Sequence, residues 1–273
     1  MSSLDDADVR AAFARWRWVP PGAPRVQTEE LLIVRLPDHF PNPLQLLRAH
    51  ALRPVADLVD EALAQARRLG DGLRDDALTV WVRLDAPAGL EEEIVARGGR
   101  LDEAVDAFAL DLADGHRLPE TPETTETPGT RSRVELRWVT DTAAARDMGR
   151  LAAEIFGGDP PTEADAADDG RHGAASQRTG TGGAVLAYVD GRPAAYGGLT
   201  IAGRDARLWG GGVLEPYRGR GLYRAILATR LAYAAEHGAQ VALVRGRTGT
   251  SAPILRRAGF GAYGQERSYR LSL

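Results

Sequence analysis

The 273-residue chain predicts an α/β (α+β) protein in two domains. Three observations carry that class. Apolar spacing switches repeatedly between the alternation of strands and the 3.6-residue period of helices. Asp190-Gly191 lies between two apolar runs, which is the signature of a tight hairpin. Residues 118–130 are rich in Pro, Thr and Glu and have no period, as an extended linker would. The expected organisation is therefore a domain at 1–117, a linker at 118–130 and a domain at 131–273.

The elements follow in order. In the first half, residues 31–36 read as a strand. Residues 55–69 read as a helix with Val55, Leu58, Val59, Leu63 and Ala66 on one face. Residues 78–84 alternate as a strand, 90–96 form a short helix stopped by Gly98-Gly99, and 105–112 form a further strand. In the second half, 134–139 alternate. Asp141 is a good N-cap for a helix reaching about Phe156. Residues 160–173 are polar and acidic and read as a loop. Residues 184–189 and 194–201 make the hairpin, and a second tight connection at Gly203-Arg204-Asp205 leads into a strand at 208–214. A helix follows at 222–237, with Gly238 past its end. A short buried strand at 240–244, a short helix at 251–258 ended by Gly259-Phe260, and a last strand at 263–271 complete the chain.

Composition narrows the chemistry. Hydrophobic residues make up 44% and charged residues 26%, as in soluble globular proteins. No apolar run is long enough to span a bilayer, and the first residues do not read as a signal peptide. The cytoplasm is the expected compartment, with no membrane or nucleic-acid partner. The absence of Cys excludes disulfides and thiolate nucleophiles, and no His/Asp/Glu spacing makes a metal site. All 34 basic residues are Arg, which removes Schiff-base chemistry and the P-loop lysine. The net charge of −4 is uneven: −7 over 1–117, −3 over 118–130 and +6 over 131–273. The basic segment suits an anionic ligand, although dispersed Arg is also ordinary solvated surface.

That segment contains Arg218-Gly219-Arg220-Gly221-Leu222-Tyr223, a Gly-rich turn between a strand and a helix start. Free amides and the helix dipole make such a turn an anion site. A similar string at Arg67-Arg68-Leu69-Gly70-Asp71-Gly72 falls at a helix end, where the dipole is negative and phosphate is disfavoured.

The strand order, the R-x-x-G-x-G turn and the later Gly259-Phe260 together resemble the GNAT acyltransferase superfamily over about 134–271. The resemblance implies a mixed, mostly antiparallel sheet flanked by helices. It also implies acyl transfer from acetyl-CoA, or another acyl-CoA, directly to an amine. By that resemblance, amides of Arg218, Gly219, Arg220, Gly221, Leu222 and Tyr223 would hold the pyrophosphate. The edge of Val213 and Leu214 would bind the pantetheine like an added strand, and one of these amides would face the thioester oxygen. Gly210-Gly211-Gly212 suit a bulge or a close backbone approach. The first half has a short helix, Gly98-Gly99 and a strand that echo 253–271. It reads as a degenerate GNAT-like copy in a tandem protein.

The segment departs from the family pattern in three ways. Tyr223 replaces the usual small residue, and its phenol either packs under the turn or reaches the cofactor. Glu215-Pro216 is transposed relative to the commoner order. Ser251 and Leu255 stand where the family often has Asn and Tyr. Ser251 is the candidate donor to the leaving thiolate, with helix capping as its other role. Glu215 is a candidate base, directly or through water, or a solvated turn residue. His172 is a candidate acceptor contact, or an exposed loop histidine. Glu163, Asp165, Asp168 and Asp169 would favour a cationic amine if they rim the cleft, while Trp209 and Tyr196 could line it. The leading expectation is an N-acetyltransferase acting on a small-molecule amine, with oligomeric state open. The alternatives are a non-catalytic acyl-CoA sensor or interaction module, and a peptide or protein N-acetyltransferase.

Overall fold

The computed structural model describes residues 4–20, 22–38, 40, 42–73, 76–112 and 133–273. The expected linker at 118–130 lies outside them. In chain order the elements are α1 (Asp6–Arg15), β1 (Arg25–Gln27), β2 (Leu31–Arg35), β3 (Leu44–Ala49), α2 (Val55–Leu69), β4 (Ala77–Val82), α3 (Leu90–Ala96) and β5 (Arg100–Asp111). They continue as β6 (Val134–Trp138), α4 (Thr142–Phe156), α5 (Glu163–Thr179), β7 (Gly182–Val189), β8 (Arg192–Ala202), β9 (Asp205–Val213), α6 (Leu222–Glu236), β10 (Val241–Arg247), α7 (Ala252–Arg257) and β11 (Gly261–Ser272). Strand pairing is mostly antiparallel, with β3/β4 and β9/β10 parallel. This is the mixed α/β class that the sequence predicts.

The described residues divide into two compact units. The first comprises Asp5–Ala107, Gly246–Pro253 and Ala262–Leu273; the second includes Phe108–Arg245 and Ile254–Gly261. The closing strand β11 therefore counts with the first unit, where it pairs with β4 from Arg267↔Val82 to Ser272↔Ala77.

In the first unit α2 buries Leu58, Val59, Ala62, Leu63 and Ala66 against Leu31, Ile33, Leu44, Leu46, Leu78, Val80, Tyr269 and Leu271. Each buried Leu, Ile or Val there contributes roughly 1.5–3 kcal/mol relative to exposure. The sequence reading missed α1, β1 and β3. In β3 Leu44, Leu46 and Leu47 are all buried, so both faces of the strand are apolar and no clean alternation marks it.

The second unit orders its strands β6–β7–β8–β9–β10. Successive residues of β7 alternate between two cores. Ala184, Leu186 and Tyr188 meet Val139, Ala145, Leu151 and Ala166 beside α4 and α5. Val185, Ala187 and Val189 meet Leu222 and Ile226 of α6. The β7–β8 turn has φ 50° at Asp190 and 80° at Gly191, the paired positive values that an Asp-Gly hairpin turn requires. Asp141 caps α4 by accepting from the Ala144 amide at 2.8 Å.

One expectation is corrected here. The polar segment read as a loop at 160–173 is mostly helix, since α5 spans Glu163–Thr179. A capping box starts it: Thr162 accepts from the Asp165 amide, and Asp165 accepts from the Thr162 amide. Its inner face is made of small residues rather than large apolar ones. A Cβ on Gly170 would lie 2.6 Å from the Asp141 carbonyl carbon, and one on Gly173 would lie 2.0 Å from the Val139 oxygen. Backbone-close packing of this kind leaves no apolar stripe for the eye to find.

The chain also repeats its own construction. A 15-residue helix (α2, α6) crosses over between parallel strands, β3 to β4 and β9 to β10. A short helix follows (α3, α7), then a left-handed glycine (Gly98 at φ 81°, Gly259 at 91°), then a 12-residue strand (β5, β11). The two copies differ where the long helix begins. α6 starts at Gly221, whereas α2 starts at Pro54 with no glycine before it in 49–54.

Candidate functional site

The site is built on β9 and the turn that follows it. β9 pairs with β10 only from Asp205↔Val241 to Leu208↔Val244. Beyond Leu208, β9 runs on to Val213 without a β10 partner, so one strand edge opens. The cause lies on the other side of β9. Against β8, Gly198↔Trp209 is followed by Tyr196↔Gly212. Gly210 and Gly211 thus oppose the single residue Gly197. This two-against-one count, with Gly210 at φ +64°, is a bulge that bends the strand.

Each glycine at the bulge has a steric reason. Gly210 adopts a backbone that other residues resist. A Cβ on Gly211 would sit 3.0 Å from the Tyr223 ring, one on Gly212 2.8 Å from Ile155 Cγ2, and one on Gly197 2.8 Å from Arg230 Cζ. The triple glycine is therefore bulge and close approach together.

At the end of the open edge the Leu214 amide donates to Ala194 at 2.9 Å. Strand alternation then turns the Val213 peptide groups to the open side, where the Val213 oxygen accepts from Arg218 Nε at 3.4 Å. Of the two residues expected to meet a pantetheine, the geometry favours Val213. A 3-10 turn at Glu215–Tyr217 carries the chain round, and the Arg218 amide donates to the Glu215 oxygen at 3.1 Å. That bond removes Arg218's amide from the expected anion cradle.

The remaining turn has the shape of an anion site. Gly219 and Gly221 both have φ +77°. Gly221 caps α6 with no side-chain hydrogen bond, and first-turn amides have no intrahelical acceptor. The positive end of a 15-residue helix therefore faces an exposed turn. Arg220 holds its guanidinium 5.3 Å from the centre of the Tyr217 ring, a cation beside the turn. Leu222 is buried among Val185, Ala187 and Ala195 and fixes the helix start to the sheet. The string at 67–72 ends α2 as expected, with Gly70 as its C-cap.

A phosphate-bearing cofactor with an extended amide arm fits these features. The amide-lined turn suits the phosphates, and the unpaired edge of β9 suits the arm. The family comparison agrees. Residues 146–260 match the model of the Acetyltransferase (GNAT) family.

Over this segment the chain is similar to GNAT acetyltransferases. The GNAT fold extends beyond the matched segment. A GCN5-related N-acetyltransferase from Kribbella flavida is 20% identical, with a TM-score of 0.63 over 99% of this chain and 96% of its own. A GCN5-related N-acetyltransferase from Sphaerobacter thermophilus is 17% identical, with a TM-score of 0.62 over 96% of this chain and 84% of its own. A tandem GNAT protein from the clavulanic acid biosynthesis pathway is 18% identical, with a TM-score of 0.58 over 100% and 97%. No curated protein sequence matches the chain. The co-substrate of the GNAT family is acetyl-CoA, and it is to the acetyltransferases of that family that residues 146–260 are similar.

The other expected residues fall in varied places. Glu215 opens the 3-10 turn and is exposed, in the same unit as the GNAT turn. His172 is exposed on α5, so its description as a loop histidine is corrected to a helical one. Ser251 directly precedes α7, is half-buried and belongs to the first unit. The acidic residues of 163–169 have local partners. Glu163 pairs with Arg146, Asp165 closes the capping box, and Asp168 pairs with Arg171. Tyr196 is buried edge-on to Phe156, with ring centres 6.1 Å apart, and burial pushes its phenol well above the usual range. Trp209 is 38% exposed and lies on Gly198, its Nε1–H donating to Thr200 Oγ1 at 3.0 Å. No helix of the described residues is long and apolar enough to cross a membrane, and no cluster of metal-binding side chains occurs among them.

Sequence reasoning missed Arg230. It is 1% exposed, beneath the bulge. Its position on α6 reads in sequence as an ordinary solvated arginine, and nothing local signals burial.

Proposed function

We propose that the chain transfers an acetyl group from acetyl-CoA directly to a small-molecule amine, using the bulged edge of β9 and the 219–223 turn. The observation that carries this reading is the combination of a splayed β9 edge with an uncapped helix start at its end. Acetyl-CoA supplies an activated thioester. The Gly219 to Tyr223 turn holds its pyrophosphate, and the Val213 edge aligns the pantetheine so that the thioester lies against the bulge. An amide of that edge donates to the thioester oxygen as negative charge develops there. Glu215 is the proposed base or water-holding group for the amine, Ser251 the proposed donor to the leaving thiolate, and His172 a proposed acceptor contact. The absence of Cys closes an acyl-cysteine route.

We assign the first half, 1–117, to a GNAT-like copy without a phosphate turn, joined by the 118–130 linker to the half at 131–273. The repeated helix–strand construction and the Pro54 start of α2 support this. A thiol-release assay with acetyl-CoA across a panel of amines tests the substrate class. Turnover with one small amine is the expected result. Turnover confined to peptide N-termini or peptide side-chain amines, or none with any amine, would overturn it.

A further inference from the structure

Arg230 is the largest fully buried side chain among the described residues, at 1% exposure. It lies on α6 two turns beyond the GNAT turn and points at the β9 bulge. Its Nη1 donates to the Gly198 oxygen at 3.0 Å and to the Trp209 oxygen at 3.3 Å. Those carbonyls belong to the last paired residues before the bulge, one on each strand. Its Nε donates to Ile226 at 3.3 Å. From its own helix the Tyr223 phenol is a further partner, and the same phenol ring lies under Gly211. So β8 and β9 offer it backbone oxygens, α6 offers a phenol and a backbone oxygen, and no carboxylate is among its partners.

A buried cation without a counter-ion is costly, and removing it from water disfavours the charged form. Burial pushes the guanidinium down to about 10, so it remains charged at neutral pH. Neutral carbonyls solvate the charge without cancelling it. Its field in a poorly screened interior therefore reaches the strand edge above.

We propose that Arg230 is a positioning residue for acetyl transfer. It fixes the Gly210–Gly211 bulge and keeps an uncompensated positive charge beneath the β9 edge that receives the thioester. The inference rests on the acetyl-CoA reading above. Charge builds on the thioester oxygen only as the amine attacks, so the field favours the transition state over the bound ground state. Tyr223 packs in the space that Gly211 leaves and holds the guanidinium from the helix side. That arrangement accounts for a large residue at a position where the motif usually has a small one.

The test compares wild-type protein with Arg230→Met and Arg230→Lys. Acetyl-CoA labelled with 13C at the thioester carbonyl is the probe, read by infrared spectroscopy, with affinity read by calorimetry. A carbonyl band at lower wavenumber in wild type than in Arg230→Met is expected, with affinities within about threefold, since the field adds little to ground-state binding. With a working amine, Arg230→Met should release thiol at least about tenfold more slowly. Arg230→Lys should keep the low band at acidic pH and lose it as pH rises. Burial disfavours the charged form of Lys as it does that of Arg, and Lys, unlike Arg, loses its charge above its pKa. Identical bands and rates in wild type and Arg230→Met would overturn the proposal. So would an Arg230→Lys protein that behaves as wild type at every pH, which would leave only a steric prop. A wild-type protein that does not bind acetyl-CoA would overturn the parent reading, and this one with it.

Discussion

Gly221 joins the sheet to the helix in the left-handed region at φ +77°. Gly221→Asp would place a negative charge beside the first-turn amides, where the pyrophosphate is expected. Its strain at positive φ, roughly 1–2 kcal/mol, is small beside the stability of a folded domain, so the fold is retained. Acetyl-CoA affinity by calorimetry should fall at least ~100-fold, counting lost amides and added repulsion. Ser251→Ala should lower thiol-release turnover more than acetyl-CoA affinity. Equal turnover would return Ser251 to capping α7. The turn was legible in the sequence because glycine spacing and a helix start are both local signals. Arg230 was not, because the carbonyls that bury it come from β8 and β9, 32 and 21 residues away in sequence.

Among elements, α5 shows where periodicity fails. Its packing face is Ala166, Gly170 and Gly173, which carries no large apolar residue. The readable signal was the capping pair Thr162-x-x-Asp165. Gly173→Ala should be strongly destabilising, by about 2 kcal/mol or more in urea unfolding. Its Cβ would fall 2.0 Å from a backbone oxygen that cannot rotate away. Asp141→Ala should cost about 1 kcal/mol through the lost α4 cap. α2, α3, α4 and α6, by contrast, match the sequence reading to within a residue at each end, because large buried residues or firm caps mark them.

At the scale of the molecule, the chain cannot be divided at 118–130 without loss. β11 follows α7 in sequence, yet Tyr269 and Leu271 belong to the core around Leu31, Leu58 and Leu78. Glu91 accepts from the Tyr269 hydroxyl and from Arg267, and these bonds hold its carboxyl below the usual carboxylate range. A depressed carboxylate stabilises above its unfolded pKa and loses that contribution as pH falls through the folded value. The effect here is small, because the group is largely solvent-screened. Residues 1–112 alone should therefore show no cooperative thermal transition, while the full chain shows one. A cooperative transition in the fragment would mean that β11 is dispensable.

The central claim is that acetyl-CoA binds at the 219–223 turn and the open edge of β9. Calorimetric titration of acetyl-CoA into wild-type protein and Gly221→Asp tests it most directly. Saturable one-site binding to wild type, lost in a variant with an unchanged circular dichroism spectrum, is the predicted result. No binding to wild type, or equal binding to both proteins, would contradict it.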